Sequence, residues 1–238
     1  MSDRPGAAVT GASSGIGRAL VLDLARSGHG LHLLGRDEGA LAEVAGMARN
    51  TGAPWATCVP CDLRDDGSVK ASADRIAQAG PLDLLVHSAG VVTLGRLADA
   101  PISDLDLNWA VNVRAPVLLT RLLLPAVTDA QGQVVFINSG AGLAARAGWG
   151  HYASGKHALR AIADALREEV RPDGVRVLTC YPGRTATPMQ RRVRQLEGAP
   201  YVADDYLRPE DVARVVCEAL ALPRGADVTE LKVRPGPG

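Results

Sequence analysis

The sequence is poor in aromatic residues and carries no net charge. Aromatic side chains make up 3% of its 238 residues, so a core built from the 47% that are hydrophobic has to be mainly aliphatic. Lysine plus arginine and aspartate plus glutamate both total 26. Because a balanced chain offers no net field to nucleic acid or to an anionic membrane, we expect neither as a partner.

Cysteine is scarce as well. The four cysteines, at positions 58, 61, 180 and 217, show no disulfide-scaffold pattern, which suits a reducing cytosol. Cys58 and Cys61 have the C-x-x-C spacing of metal and redox sites. No second Cys/His pair accompanies them at zinc-finger spacing, so we interpret them as structural and expect no metal.

Long hydrophobic runs are also missing. The longest, Val117 to Val127, is interrupted by Arg121 and Pro125 and is not expected to span a bilayer. The N-terminus reaches strand-like residues by Ala7, and no signal peptide is evident. These features predict a cytoplasmic protein.

What the chain does have is an alternation of short apolar runs with amphipathic helical stretches. Strands are predicted at 6–10, 30–35, 55–60, 82–86, 132–138, 174–180 and 227–233. Helices are predicted at 15–28, 37–51, 66–79, 102–128, 151–171 and 209–222. This order predicts an α/β fold with a doubly wound parallel sheet of about seven strands and helices on both faces. With no linker or repeat, residues 1–238 are interpreted as one domain with a loose tail at 234–238.

The first predicted strand runs into a glycine-rich turn, Thr10-Gly-Ala-Ser-Ser-Gly-Ile-Gly17, and then into a helix. Glycines allow a sharp turn and a close backbone approach, while the helix N-terminus offers free N–H groups to a pyrophosphate. Many proteins use such a turn as a plain strand-to-helix corner. Its position after the first strand of a βαβ unit favours nucleotide binding.

Arg36 ends the second predicted strand, where the adenosine ribose of a bound dinucleotide is expected. An acid there would bind free ribose hydroxyls, whereas an arginine suits a 2′-phosphate. Arg36 therefore favours NADP(H) over NAD(H). Alternatively, it simply begins an exposed helix together with Asp37 and Glu38.

Tyr152 and Lys156 are four residues apart in a predicted helix, so they lie on one face. An ammonium group close to a phenol lowers the phenol pKa from about 10 toward neutrality, which suits acid/base work on an alcohol or a carbonyl. Taken alone, the Tyr-x-x-x-Lys spacing also occurs on ordinary surface helices. The surrounding motifs make the catalytic interpretation the stronger one.

The combined motifs resemble the short-chain dehydrogenase/reductase family, in its shorter branch. The matching segments follow one another in the family's order over nearly the whole chain: Thr10–Gly17, Asp62-Leu63, Ala89-Gly90, Asn112, Ser139, Tyr152 with Lys156, and Pro182-Gly183. The resemblance implies a Rossmann-type fold and hydride transfer between NADP(H) and a carbonyl or secondary alcohol. The sequence departs from the family at His87-Ser88, where two asparagines are usual.

The resemblance also implies roles for particular residues. The catalytic group would be Asn112, Ser139, Tyr152 and Lys156, with Ser139 holding the substrate carbonyl. Asn112 would interrupt the helix predicted at 102–128 and hold a water of a proton relay. Asp62 would accept a hydrogen bond from adenine. The cofactor would be bound by Gly11, Ser13, Ser14, Gly15, Ile16, Gly17, Arg36, Asp62, Leu63, Ala89, Gly90, Tyr152, Lys156, Pro182, Gly183, Thr185 and Thr187.

Residues 188–207 are expected to form a lid over the substrate. By analogy with the family, the substrate pocket would include Leu94, Leu143, His151, Gly183, Met189 and Tyr201, and the helices at 102–128 and 151–171 would form a homodimer or homotetramer. Arg191, Arg192 and Arg194 either meet an anionic substrate or are simply solvated. The main alternatives in function are an NAD-linked alcohol dehydrogenase and a non-catalytic nucleotide sensor on the same fold.

Overall fold

A computed structural model describes residues 6–236 of the chain. Its seven strands form one parallel sheet in the order β3-β2-β1-β4-β5-β6-β7. The strands are β1 Gly6–Thr10, β2 Gly30–Gly35, β3 Ala56–Pro60, β4 Leu84–His87, β5 Gln133–Ile137, β6 Arg176–Pro182 and β7 Glu230–Val233. The predicted Rossmann-type α/β fold is thereby confirmed, and each strand lies within two or three residues of its predicted limits.

Eight helices connect and cover the strands in this part of the chain. They are α1 Gly15–Arg26, α2 Glu38–Thr51, α3 Asp66–Ala77, α4 Ile102–Trp109, α5 Ala115–Asp129, α6 Gly150–Val170, α7 Pro188–Leu196 and α8 Pro209–Leu220. Apolar residues of α1, α2 and α8 pack on one face of the sheet. Those of α3, α5 and α6 pack on the other. The central strands are consequently buried on both sides, as expected of a parallel sheet.

The helix predicted at 102–128 is two helices joined by a π-helical turn at Ala110–Arg114. The span from Ile102 to Asp129 is long and apolar enough to cross a membrane by length and composition, but 50% of its apolar window is buried inside the protein. Leu119, Leu123 and Val127 are completely buried against the sheet. The span packs as a core helix.

Helix α7 was not among the predicted helices. Its residues fall in the segment 188–207, where only Gln190 and Val193 are buried. Thr187 starts the helix by accepting a hydrogen bond from the N–H of Gln190 at 3.2 Å, and Pro188 occupies the first turn. Since so few apolar residues mark its inner face, the helical pattern is hard to recognise in the sequence.

Candidate active site

A cavity of about 1090 Å³ runs along the carboxyl edge of the sheet. It is lined by the residues that end or follow β1 to β6, by residues of α4, α6 and α7, and by the chain after β7. Ligands bind at this edge of open parallel sheets, at the point where the strand order reverses. Here the order reverses between β1 and β4.

The glycine-rich turn brings the backbone of β1 very close to its neighbours. Gly11 and Gly15 have positive φ angles, of 67° and 53°. A Cβ on Gly11 would lie 2.9 Å from the backbone of Ala89, and one on Gly17 would lie 2.2 Å from the carbonyl oxygen of Gly11. No side chain fits at these two contacts, so the turn requires glycine.

The N-terminus of α1 opens into this cavity. Ser14 precedes the helix in an extended conformation, its hydroxyl makes no capping hydrogen bond, and no acidic residue occupies the first turn. The first N–H groups of α1 and the Ser14 hydroxyl therefore remain available for an anion, which is the chemistry a pyrophosphate needs. Thr187 lies opposite, because a Cβ on Gly15 would be 3.0 Å from its methyl carbon.

Thr10 has a role that the motif did not reveal. Its hydroxyl accepts hydrogen bonds from the N–H groups of Ser88 and Ala89 at 3.0 and 3.1 Å and lies 3.3 Å from the carbonyl oxygen of Val86. One buried hydroxyl thus joins the end of β1 to the end of β4. This contact sets the position of Ala89 and Gly90 in the cavity wall.

Arg36, Asp62 and Leu63 lie together at the far end of the cavity, with Arg64 beside them. Asp62 is held by Arg64, whose backbone N–H and Nε donate to its carboxylate at 3.0 and 2.9 Å. These hydrogen bonds, with a smaller contribution from Arg36, lower the pKa of Asp62 to about 2. Sequence reasoning missed Arg64, although it follows the predicted adenine-binding residue by only two positions.

Ser139, Tyr152 and Lys156 converge on the middle of the cavity. Ser139 follows β5, and helix α6 carries the other two, which are 5% and 3% exposed. The ammonium nitrogen of Lys156 lies 5.9 Å from the centre of the Tyr152 ring and donates a hydrogen bond to the carbonyl of Ile137 at 3.1 Å. The structure therefore brings together three of the four residues that were predicted to be catalytic.

The pKa of the phenol differs from the expectation. Burial raises the pKa of Tyr152 to about 12, and a hydrogen bond with Ser139 opposes this shift only in part. Burial also lowers the pKa of Lys156 to about 8. The expected lowering of the phenol pKa by the lysine is not found, because the amine is directed to Ile137 and desolvation dominates at both groups.

Asn138 supports this group and was not singled out from the sequence. Its buried amide donates to the carbonyl of Lys156 at 3.0 Å and accepts a hydrogen bond from the N–H of Ser139 at 2.8 Å. It therefore ties the end of β5 to α6. A Cβ on Gly142 would lie 2.4 Å from its amide oxygen, which explains the glycine in the following turn.

Asn112 lies in the π-helical turn, so the helix is indeed interrupted at this residue. Its amide nitrogen donates to Val91 at 2.9 Å and to Asn108 at 3.1 Å, and its oxygen accepts from the N–H of Val91 at 3.0 Å. The side chain thus fixes the loop after β4. A Cβ on Gly90 would lie 3.2 Å from that oxygen and 3.9 Å from Nζ of Lys156.

His87 and Ser88, which stand where the family usually has two asparagines, lie in different surroundings: His87 is in the core and Ser88 is in the cavity wall. His87 is completely buried, hydrogen-bonds Thr120 at 2.8 Å and stacks on Phe136 with the ring centres 5.0 Å apart. Burial lowers its pKa to about 3, so it is neutral. Ser88 lines the cavity. The departure from the family therefore alters the packing behind the cavity rather than its catalytic group.

Three of the six residues expected around the substrate line the cavity. Leu143, Gly183 and Met189 line the cavity, whereas Leu94, His151 and Tyr201 do not. His151 is buried in the first turn of α6. Tyr201 lies beyond α7, where the guanidinium of Arg191 covers its ring at 4.7 Å.

Six further residues that were predicted to bind the cofactor line the cavity. Four of them come at or after the end of β6, namely Pro182, Gly183, Thr185 and Thr187, and two are in the glycine-rich turn, namely Ser13 and Ile16. Gly183 contacts the chain after β7, since a Cβ there would lie 3.2 Å from Pro235. Residues 234 and 235 of the predicted tail therefore belong to the cavity wall, and residues 237 and 238 lie outside the described part of the chain.

The cysteines lie apart from this chemistry. All four are unpaired; Cys58 is on β3, and Cys61 is buried next to Asp62 in the cavity wall. Within residues 6–236, no three histidine, cysteine or acidic side chains are grouped to hold a metal ion.

Fold and cavity together define a Rossmann-type α/β protein with a nucleotide-sized site at the carboxyl edge of its sheet. Residues 6–198 match the family model of the short chain dehydrogenases. The chain is 37% identical over 224 residues to 1-deoxy-11-beta-hydroxypentalenate dehydrogenase of Streptomyces exfoliatus, covering 92% of this chain and 80% of that protein. The protein belongs to the short-chain dehydrogenase/reductase family, an oxidoreductase family.

Solved structures agree with this assignment. A metagenomic short-chain oxidoreductase in complex with NADP is 30% identical, with a TM-score of 0.84 and 98% of each chain covered. An alcohol dehydrogenase from the archaeon Thermococcus sibiricus, complexed with 5-hydroxy-NADP, is 26% identical, with a TM-score of 0.89, and covers 99% of this chain and 100% of that one.

Proposed function

We propose that this protein is an NADPH-dependent ketoreductase that interconverts a ketone and a secondary alcohol. The observation that carries the proposal is the convergence of Ser139, Tyr152 and Lys156 in the wall of one cavity, next to a glycine turn open to phosphate. Two NADP-containing structural neighbours and a relative named as a dehydrogenase of a hydroxylated compound support it.

The residues present suit a pyridine dinucleotide. The open N-terminus of α1 and the Ser14 hydroxyl suit the pyrophosphate. Arg36, whose side chain makes no hydrogen bond or salt bridge among the described residues, suits the 2′-phosphate of NADP(H), so NAD(H) is the less suitable cofactor. Thr185 and Thr187 would hold the nicotinamide end. The cofactor supplies the hydride when bound, and the protein supplies position and proton.

In this proposal the Ser139 hydroxyl donates a hydrogen bond to the substrate carbonyl and holds it beside Tyr152. The Tyr152 phenol then donates its proton to the carbonyl oxygen as negative charge develops there. A pKa raised to about 12 keeps the phenol protonated at neutral pH, so that the proton is present, and it also makes the phenol a weaker acid than a tyrosine in water. Lys156 would hold the nicotinamide ribose and stabilise the phenolate left behind, while Asn112 positions the loop on which Gly90 lies.

The segment 188–207 is proposed as the lid over the substrate. Helix α7 places Met189 and Val193 on the cavity. Arg184 and Arg194 both bind Glu197, with Arg184 Nη1 and Arg194 Nη1 at 2.9 and 2.8 Å from its carboxylate. These pairs join the end of the helix to the segment after β6, so that the two parts of the wall would move together.

We also propose that the protein acts in the cytoplasm as a homodimer or homotetramer built on α5 and α6. Trp109 and Val117 are 43% and 40% exposed on the outer side of the α4–α5 span, and a second copy would cover them. Light scattering of the purified protein measures the mass. A Val117→Glu variant is expected to be monomeric if this face is the interface.

The ketoreductase proposal is tested by following NADPH oxidation with a panel of ketones. Tyr152→Phe is expected to lower kcat about 10²- to 10⁴-fold, because it removes the acid and leaves the packing intact. Calorimetry should give the same NADPH affinity for both proteins. Normal turnover in Tyr152→Phe would refute the mechanism, and NADPH binding without oxidation of NADPH by any ketone would favour a nucleotide sensor.

A further inference from the structure

The cavity wall is strongly cationic although the chain as a whole is neutral. Among the described residues that line it, seven have a positively charged side chain and one, Asp62, has a negatively charged one. The whole chain has 26 of each sign. Concentrating one sign in a concave site focuses the field there and attracts anions.

Three of these seven cations are already occupied. Arg64 binds Asp62, Arg184 binds Glu197, and Lys156 donates to the carbonyl of Ile137. The other four have no hydrogen-bonding or ionic partner for their side chains among residues 6–236; they are Arg36, Arg146, Arg192 and Arg234.

The sheet order separates these four into two places. Arg36 follows β2, while Arg146 follows β5, Arg192 is on α7 after β6, and Arg234 follows β7. Strands β2 and β6 are four positions apart in the sheet, which corresponds to about 19 Å. One anionic group cannot bind at both places. A 2′-phosphate accounts for Arg36 and leaves the second group unexplained.

The position of Arg192 distinguishes it from the other arginines of α7. Arg191 stacks on Tyr201 at 4.7 Å, and Arg194 binds Glu197 and the carbonyl of Pro200. Arg192 lies on the helix face of Met189, three residues earlier, and both line the cavity.

Arg146 is linked to the catalytic tyrosine. It lies in the loop before α6, and its carbonyl accepts a hydrogen bond from the N–H of Trp149 at 3.1 Å. The Trp149 ring packs edge-on against Tyr152, with the ring centres 6.0 Å apart. Arg146 therefore lies on the same side of the cavity as Tyr152.

We infer that the substrate carries an anionic group, a carboxylate or a phosphate, that is bound by Arg146 and Arg192 while its carbonyl lies at Tyr152. The inference rests on the proposed ketoreductase function and adds the substrate class. Guanidinium groups bind carboxylates and phosphates through paired hydrogen bonds, so an anionic ketone is favoured over its neutral counterpart.

The test measures binding to the complex of the protein with NADP⁺, in which a ketone cannot react. Calorimetry compares aliphatic oxo acids, beginning with levulinate, with their methyl esters, and dihydroxyacetone phosphate with dihydroxyacetone. In at least one pair, the anion is expected to bind about tenfold more tightly than its neutral partner. The preferred pair identifies the anion as carboxylate or phosphate.

Arg146→Gln and Arg192→Gln are each expected to remove most of this preference without changing the affinity for NADP⁺ or for the neutral ketones. Arg191→Gln, a change on the same helix, is the matched control and should keep the preference. Equal affinities within every pair, no measurable binding of any anion, or a preference that survives in the double variant would overturn the inference. So would a loss of NADP⁺ affinity in Arg192→Gln with the preference intact.

These outcomes separate the inference from the function on which it rests. Reduction of neutral ketones by NADPH without any preference for anions would leave the ketoreductase proposal standing alone. Tight binding of anions without oxidation of NADPH would refute the ketoreductase proposal and still support an anion-binding site at Arg146 and Arg192.

Discussion

The two ends of the cavity are built from different parts of the chain. At the end formed by β1 and α1, backbone groups make the wall, and Gly11 and Gly17 are too close to their neighbours for any side chain. At the end formed by α7 and the loop before α6, long side chains such as Met189 and Arg192 make it. Where backbone forms the wall, steric contacts allow a single geometry. Where side chains form it, each substitution changes the chemical groups that face the cavity. The first suits a constant cofactor and the second a particular substrate.

The largest effect is expected when a methyl group is added to the glycine-rich turn, where the wall is made of backbone. Gly17→Ala should lower the free energy of unfolding by roughly 3 kcal/mol and abolish NADPH binding, because the new Cβ would meet the carbonyl oxygen of Gly11 at 2.2 Å. Urea denaturation and calorimetry measure the two effects.

Gly46→Ala is the matched control. Gly46 lies in α2 with open space around its Cβ position, so alanine should stabilise the helix by about 0.5–1 kcal/mol. If both variants had the same stability, the argument for a sterically closed glycine turn would fail.

A smaller effect is expected from one side chain at the cofactor end. Arg36→Asp should weaken NADPH binding about tenfold to a hundredfold and leave NADH binding unchanged or improved, because a carboxylate repels a 2′-phosphate and accepts ribose hydroxyls. Titration of NADPH and NADH against the two proteins measures the preference. Lys70→Asp, on the exposed face of α3 away from the cavity, is the control for net charge. If Arg36→Asp kept the same preference for NADPH over NADH, Arg36 would not be the residue that binds the 2′-phosphate.

The smallest effect that we expect is on the pH dependence of unfolding, and it comes from His87, which is buried behind the cavity wall on β4. Burial lowers the pKa of His87 to about 3, while an unfolded histidine titrates near 6.5. The unfolded chain therefore binds a proton first, and the stability that His87 contributes is complete above about pH 6.5 and is lost as the pH falls toward 3. Through this one group, the free energy of unfolding changes by at most about 1.4 kcal/mol per pH unit.

His87→Asn should flatten the pH dependence of unfolding over this range, as measured by urea denaturation at a series of pH values. His32, whose pKa is lowered by burial to about 4, adds its own slope and remains in the variant. An identical pH dependence in the two proteins would mean that His87 is not held neutral by its surroundings.

Much of the fold was predictable because its signals are local. Each strand and all but one of the helices follow from short apolar runs and helical spacing, and the parallel sheet follows from their alternation. Helix α7 was missed because only Gln190 and Val193 are buried in it. The break at Ala110–Arg114 has no apolar signature either, and only the family resemblance of Asn112 indicated it.

Three of the four residues predicted to be catalytic line one cavity, whereas the predicted pKa of Tyr152 differs from that in the structure. Ser139, Tyr152 and Lys156 do meet, because the end of β5 and the first turns of α6 are adjacent. The direction of the pKa of Tyr152 was wrong, since it depends on burial and on where the amine of Lys156 points. Asn138 was missed because its partner Lys156 is 18 residues away and is brought to it only by the fold. Arg64 was missed although its partner Asp62 is only two residues away.

The sequence by itself determined the elements, their order and the glycine turn, because these depend on residue types at short separations. The tertiary structure decided which charges remain free in the cavity: it pairs Arg184 with Glu197 and leaves Arg192 on the cavity wall without such a partner. The physical reason is that charge pairing and desolvation depend on distances between groups in different elements of the fold, and only packing brings those groups together.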